Sequence, residues 1–431
     1  MLRNELWSNC AVTELSRVCV MGLGYIGLPT ASLLATKGFH VLGVDVNPSV
    51  VETVAAGGIH ITEPELDILV KSAVQSGRLT VSTTPDAADV FILAVPTPFT
   101  EGHRPDLTFV EASTREIASR LEPGNLVILE STSPPGTTER VAQWLSEERP
   151  DLRFPRASAY TASDTPADVF VAHCPERVLP GQILRELVGN DRIVGGVDEA
   201  STERAAEFYR LFVSGEVLSS NSRTAEMAKL TENTFRDVNI ALANELSVIC
   251  HRLEVDVWEM IALANRHPRV NILRPGPGVG GHCLAVDPWF IVDAAPDDSR
   301  LIRVARELND AKPGFVVRWA ASRAARLRDP VIACLGLAYK ANIDDLRESP
   351  ALAITERLAS EGVGRILAVE PNVRQLPARL EECGVELARI EDAMQEADIV
   401  LALVAHRQFE RIPVARLQEK IVLNVCGLWQ A

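Results

Sequence analysis

The chain has 431 residues, enough for two to four domains, and its 47% apolar and 23% charged residues suit a globular protein rather than a disordered or fibrous one. Its 43 Lys and Arg stand against 58 Asp and Glu, a net charge of −15; this argues against wrapping nucleic acid or binding an anionic membrane, and any anionic ligand must be met by cations gathered locally. Eight cysteines without a CxxC pair suggest neither a disulfide framework nor a zinc site, so no metal is expected.

The first sixteen residues carry scattered charges and no apolar core, so a signal peptide is not expected and the protein is expected in the cytoplasm. The uncharged stretch 18–36 holds three glycines and a proline, and reads as strand, tight turn and helix rather than a membrane span. Near-continuous apolar runs at 18–21, 40–46, 88–96, 125–132, 169–174 and 192–196 predict buried parallel strands separated by helices, ending near residue 215. From Ser222 to about Arg252, Met227, Leu230, Val238, Leu242, Leu246 and Ile249 recur at helical spacing without Gly or Pro. This predicts a helix of roughly 30 residues, long enough to bridge domains or form a dimer seam, and a homodimer is expected. Further helix is predicted at 257–265 and around 299–310, with a Pro/Gly-rich loop between them. A second strand series follows at 331–340, 365–371, 397–406 and 420–427. The predicted fold class is α/β, with two Rossmann-like, doubly wound parallel-sheet lobes joined by a central helical domain; the boundaries are 1–215, 216–326 and 327–431.

Gly22-Leu-Gly24-Tyr25-Ile26-Gly27 ends the first strand and opens a helix, as a dinucleotide fingerprint requires. The three glycines serve the tight turn, the approach to the pyrophosphate and helix–strand packing. Asp45 closes the second strand, 23 positions after Gly22, and no basic residue follows it at once. A carboxylate there accepts from ribose hydroxyls and repels a 2′-phosphate, so NAD is expected rather than NADP. Thr97, Thr132 and Thr138 belong to turns on the same sheet edge and are further cofactor candidates.

Lys229, Asn233 and Arg236 share one face of the long helix, opposite much of the apolar stripe. Pro275 to Cys283 is a four-glycine loop that can wrap closely around a ligand, and Cys283 and Asp287 would share a face if a helix starts there. Such a helix start favours a thiolate nucleophile. Arg177 beside Glu176, His267, Arg269, Lys340 and Arg347 are candidates for diphosphate and sugar contacts. The third lobe has LGLAYK after its first strand instead of GxGxxG, so it should take something nucleotide-like but not a second NAD.

The segments GLGYIGLPT, AVPTPF, ESTSPPGTTE, CPERVLPG, KLTENTFRDVNIA, PGPGVGGHC and LAYKANIDDLRESP together resemble the UDP-glucose/GDP-mannose dehydrogenase family, from about Arg17 to Trp429. The resemblance implies a four-electron oxidation of a UDP-sugar at C6, with two NAD used in succession. Lys229 and Asn233 would hold the sugar oxygen or a water, and Cys283 would trap the aldehyde as a thiohemiacetal and then a thioester. Glu176 and Asp287 would handle protons or orient water, with their roles left open. It also places Val178, Gly280 and Tyr339 against the substrate, and the uracil diphosphate against Lys340 and Arg347. Pro180 and Val286 stand where the glucose enzymes of this family show Glu and Lys, and HPRVN is similar to the N-acetylmannosamine branch. The expected substrate is therefore UDP-N-acetyl-mannosamine, whose uronate is a surface-polysaccharide precursor of the enterobacterial common antigen type; another UDP-N-acetylhexosamine or UDP-glucose is the alternative. One departure stands out. The family pattern near the C-terminus resembles Asp-Ala-Lys-Gly-x-Trp, whereas this chain has Asn424-Val425-Cys426-Gly427-Leu428-Trp429, lacking a cation that could assist substrate binding.

Overall fold

A computed structural model describes residues 15–100, 102–156, 166–179, 181–281 and 283–429. Two compact units divide the chain, 1–230 and 231–431.

The first unit runs β1 (Arg17–Met21), α1 (Gly27–Thr36), β2 (His40–Val44), α2 (Pro48–Ala55), α3 (Leu66–Gln75), β3 (Leu79–Ser82), β4 (Val90–Leu93), α4 (Thr108–Ala118), β5 (Leu126–Leu129), α5 (Thr137–Glu148), β6 (Phe170–His173), α6 (Ile183–Gly189), β7 (Arg192–Gly196), α7 (Glu199–Arg210) and β8 (Val217–Asn221). The eight strands form one sheet in the order β3-β2-β1-β4-β5-β6-β7-β8. Its central strands are apolar throughout because both faces are covered. Val18 and Val20 of β1, Val90 and Ile92 of β4, and Leu126 and Ile128 of β5 enter one core layer. The intervening Cys19, Met21, Phe91, Leu93, Val127 and Leu129 enter the other. The order reverses at β1, so the loops after β1 and β4 flank the crevice where open α/β sheets bind ligands. Two details differ from the sequence reading. β7 pairs antiparallel with β6, through Ala172 opposite Gly196 and His173 opposite Gly195. The short strands β3 and β8 were not anticipated; each is an outer strand with exposed positions, so it lacks the long apolar run of a central one.

Helix α8 (Ser222–Leu253) spans 32 residues, and the division between the units falls within it. The second unit continues with α9 (Val257–Ala264), α10 (Asp287–Ala294), α11 (Arg300–Ala324), β9 (Val331–Leu335), α12 (Pro350–Ser360), β10 (Arg365–Val369), α13 (Ala378–Glu382), β11 (Glu386–Leu387), α14 (Ile390–Glu396), β12 (Ile399–Ala402), α15 (Arg407–Glu410) and β13 (Ile421–Asn424). Its strands form an all-parallel sheet, β11-β10-β9-β12-β13, which is the same winding again. Ile332, Cys334, Ile399 and Leu401 face the layer that holds Val316, Val317 and Ala320 of α11, while Ala333, Leu335, Val400 and Ala402 face the other. The two-residue strand β11 was not anticipated either.

The long helix is turned the opposite way from its hydrophobic pattern. Glu226, Asn233, Asp237 and Asn244 recur on one face and are buried, whereas Phe235, Leu242, Ile249 and Leu253 on the opposite face are exposed. Of the expected apolar stripe only Leu230 is buried; Val238 and Leu246 are half-buried, and Met227, Leu242 and Ile249 are exposed. The inward polar face is satisfied by partners. Arg306 of α11 donates from Nη1 to Asp237 Oδ1 at 2.5 Å, and Asn309 Nδ2 donates to the same oxygen at 2.9 Å. Asn244 Nδ2 donates to Asn309 Oδ1 at 2.8 Å, and Asn244 Oδ1 accepts from Gly276 N at 2.9 Å. A chain of polar side chains thus runs from α11 through α8 to the start of the glycine loop. None of the described helices is long and apolar enough to cross a membrane.

Candidate active site

The fingerprint loop has the shape a dinucleotide needs. Gly22 adopts φ +91°, and a Cβ there would lie 2.8 Å from Ala94 O. A Cβ on Gly27 would come within 1.8 Å of Gly22 O, so only glycine lets α1 start so close to β1. Gly24 has nothing within 4 Å of its Cβ position, which leaves open the space a pyrophosphate approaches. Ile26 is the N-cap residue of α1, no side chain caps that helix and no acid lies in its first turn. Its N-terminus therefore presents a positive dipole end, unopposed by any acid of its own first turn, to a phosphate. Tyr25 is exposed beside it. Asp45 accepts from Leu23 N at 3.0 Å and Asn47 N at 2.9 Å, so the carboxylate that would meet the ribose also braces the glycine turn. These residues fit NAD. A bulky side chain at Gly24 should close the site without harming the fold: Gly24→Val is expected to weaken NAD binding at least about tenfold with an unchanged melting temperature, measured by fluorescence titration and thermal unfolding.

The three threonines part company. Thr97 is half-buried and its hydroxyl donates to Thr132 O at 2.6 Å, tying together the loops after β4 and β5. Thr138 is fully buried, and both its N–H and its hydroxyl donate to Glu226 Oε1, at 2.7 and 2.6 Å. Its expected direct contact with a cofactor is therefore corrected: every donor it has is already committed inside the protein.

At the end of β6, Glu176 is buried and its Oε2 accepts from Arg192 Nη1 at 2.6 Å, while Oε1 accepts from the N–H of Arg177 at 2.6 Å. Both oxygens are anchored, which suits a group that orients its neighbours. Arg177 reaches Asp191 O at 3.3 Å, and Val178 packs against the core. Pro180 lies outside the described residues. Burial, assisted by the charge of Lys229, holds the neighbouring His173 imidazole down to about 3 and hence neutral. That influence puts Lys229 close to the sheet edge where β6 ends.

In the second unit, Asn233 Nδ2 donates to Asp287 Oδ2 at 2.6 Å, and both residues are buried. The helix expected to start at Cys283 starts one turn later. Asp287 is the first residue of α10, and its N–H bonds to Cys283 O at 2.9 Å. Cys283 therefore occupies the turn leading into the helix, exposed, while Asp287 takes the dipole-favoured place of an acid in the first turn. Val286 is the buried N-cap residue of that helix.

The glycine loop lies against the C-terminal lobe. A Cβ on Gly280 would be 2.3 Å from Glu348 O, and one on Gly281 would meet the Tyr339 ring at 2.9 Å. The glycine loop before Cys283 is thus held against Tyr339 and Glu348. Gly280→Ala must displace backbone and is expected to cost roughly 1–3 kcal/mol in urea unfolding. Lys340 is exposed, and Arg347 is exposed with a bidentate pair to Asp345 at 2.7 and 2.9 Å. In this lobe Glu370 stands at the end of β10 as Asp45 does after β2, taking N–H groups from Leu337 at 2.8 Å and Ala338 at 3.1 Å. His406 Nε2 approaches it at 3.0 Å, and the carboxylate is buried, so it has no face left for a second ribose. Arg236, His267 and Arg269 are exposed, and Arg236 lies at the surface three positions beyond the buried Asn233. Arg274 was missed by the sequence reading; its charge reaches the partly buried Cys426, whose thiol burial pushes up to about 12. Arg192, Glu226, Asp237, Asn244, Arg306 and Asn309 were missed as well. The recurrence of polar residues at 226, 233, 237 and 244 was the available signal.

The NAD-binding, central and UDP-binding domains of the UDP-glucose/GDP-mannose dehydrogenase family match residues 16–213, 223–311 and 333–430. An "NDP-N-acetyl-D-galactosaminuronic acid dehydrogenase" of Ralstonia nicotianae is 56% identical over 96% of each chain. A UDP-N-acetyl-D-mannosamine dehydrogenase of Campylobacter jejuni is 54% identical over 92% of this chain and 97% of its own. The solved UDP-D-ManNAc dehydrogenase of Pyrococcus horikoshii superposes with a TM-score of 0.84 at 40% identity, covering 96% of each chain. With these three domain matches and an open dinucleotide cradle after β1, the chain belongs to the UDP-glucose/GDP-mannose dehydrogenase family and is an NAD-dependent dehydrogenase of nucleotide sugars.

Proposed function

We propose that this chain oxidises C6 of UDP-N-acetyl-D-mannosamine to the carboxylate, giving UDP-N-acetyl-D-mannosaminuronate for surface polysaccharide, through a covalent bond to Cys283. The observation that supports this most is the exposed Cys283 thiol one turn ahead of the buried Asn233–Asp287 pair, on a loop packed against Tyr339. Bound NAD supplies the hydride acceptor for each of the two oxidations. Lys229 and Asn233 hold the C6 oxygen, and the ammonium stabilises the charge that develops there as the hydroxyl proton passes through bound water to solvent. The Cys283 thiolate then adds to the aldehyde carbon, and the oxygen is protonated to give a thiohemiacetal. Oxidation of that adduct leaves a thioester. Asp287, held by Asn233, and Glu176, held by Arg192, orient the water that attacks it, releasing the acid and the thiolate. Lys340, Arg347 and Arg274 gather positive charge for the diphosphate on an otherwise acidic chain.

The Ralstonia relative favours a second reading, oxidation of a UDP-N-acetyl-galactosamine-type substrate. Incubating purified protein and NAD with a panel of UDP-sugars decides between them. The mannosamine reading expects a uronate of matching mass and two NADH per sugar; one NADH, or turnover of the galactosamine sugar alone, rejects it.

We also propose a homodimer seam on α8. Phe235, Leu242 and Ile249 recur every seven residues and are 65%, 47% and 45% exposed. Such a stripe suits packing against a second copy in coiled-coil fashion. Leu242→Asp is expected to shift the protein to monomer in analytical ultracentrifugation, and an unchanged mass would reject the seam.

A further inference from the structure

We propose that Glu226 is the positioning residue for Lys229, clamping the first turn of α8 to the N-terminus of α5. This rests on the reading of Lys229 as a group that touches the sugar oxygen.

Glu226 lies one turn before Lys229 and is fully buried. Its carboxylate spans the start of α5, with Oε2 accepting from Gly136 N at 2.6 Å and Oε1 from Thr138 N at 2.7 Å and Thr138 Oγ1 at 2.6 Å. Gly136, at φ +96°, is the N-cap residue of α5 and has no side chain to cap it. Glu226 supplies the missing cap from 88 to 90 positions away. Three donors on one carboxylate, at a helix end that favours negative charge, make a short and directional tether. The tether reaches the crevice edge, because α5 follows the loop after β5 and that loop is tied to β4 through Ser131 Oγ to Val95 O at 2.6 Å and Thr97 Oγ1 to Thr132 O at 2.6 Å. Helical spacing puts Glu226 and Lys229 on adjacent parts of one face, so the tether fixes both the rotation and the axial position of α8 where Lys229 leaves it. It also occupies the N-terminus of α5 with the protein's own carboxylate, leaving α1 as the phosphate-facing helix.

The tether is sensitive to pH. Burial pushes the Glu226 carboxyl up to about 7 against the pull of its three donors, and the negative charge of Glu139 on α5 adds to the rise. Arg223 on α8 faces the same pair and bonds bidentately to Glu139 at 2.6 and 2.7 Å. A proton on Glu226 replaces an acceptor by a donor opposite N–H groups that cannot accept.

The test is kinetic. Glu226→Gln is expected to lower kcat at least tenfold at pH 8 while NAD affinity stays within about threefold, and to remove the acid limb of the kcat–pH profile near 7. Thr138→Val deletes one donor to the ionised form and is expected to move that limb upward by about half a unit. An unshifted limb in both variants, or wild-type kcat in Glu226→Gln, overturns the proposal. If Glu226→Gln does not fold, the direction of the Thr138→Val shift decides alone. Lys229→Ala is measured alongside. Near-normal turnover there overturns the reading of Lys229 itself, whereas an inactive Lys229→Ala beside an unaffected Glu226→Gln rejects only the tether.

Discussion

Serine at position 283 is expected to lower kcat on the order of 10³-fold or more and to end the release of a second NADH per sugar. Among the described residues of the glycine loop, the exposed sulfur is the one group that can be both a strong nucleophile and a good leaving group. A serine hydroxyl there has a far higher pKa than a thiol, adds poorly to the aldehyde, and would leave an ester much slower to hydrolyse than a thioester. Cys283→Ser should therefore stall at or before the covalent stage, with a mass shift on the protein or a trapped aldehyde as the signature. Mass spectrometry after a single turnover, together with NADH counting, reads both. Wild-type turnover by this variant would remove Cys283 from the reaction and leave a simple one-step dehydrogenase, which needs only a lysine and an asparagine.

Arg306→Met is expected to destabilise the second unit by about 3–5 kcal/mol, the largest stability effect anticipated in the chain. Arg306 is 1% exposed and Asp237 0%, and they meet at 2.5 Å; Arg306 also bonds to Asp310. Removing the guanidinium strands a carboxylate in the interior with only Asn309 to solvate it. Burial already raises the Asp237 carboxyl above its usual range despite Arg306, so the deleted cation opposes a real desolvation cost. Replacing Asp237 by leucine in the same protein removes both charges and should recover part of the loss, because an apolar pair of similar volume is cheaper to bury than a single ion. Urea unfolding of the two single variants and the double variant checks this. A double variant less stable than either single one would reject the account. The polar chain also holds Gly276 through Asn244, so the singles should loosen the Cys283 loop and lower kcat as well.

The family's chemistry was legible because it needs particular residue types at particular spacings. Gly22, Gly24 and Gly27 with Asp45 predict a cradle, and the structure builds one with an open space at Gly24. Gly280 and Gly281 predict a close approach to a ligand, whereas the neighbours that the structure puts against them are the protein's own Glu348 and Tyr339. The apolar strand runs predict sheets covered on both faces, and alternate residues do enter two core layers. The start of α10 was displaced by one turn because Cys283 can stand in an isolated helical turn just ahead of the helix proper.

By itself the sequence determined the two wound lobes and the dinucleotide, since backbone sterics and local periodicity leave few other solutions. Only the tertiary structure decided which side of α8 faces inward, that Thr138 belongs to Glu226, and that β7 runs antiparallel. Those outcomes depend on partners between 22 and 90 positions away, such as Arg306 for Asp237 and Gly136 for Glu226. A periodic pattern shows that a helix has two unlike faces, but whether the polar one is buried depends on hydrogen-bond partners supplied by distant elements.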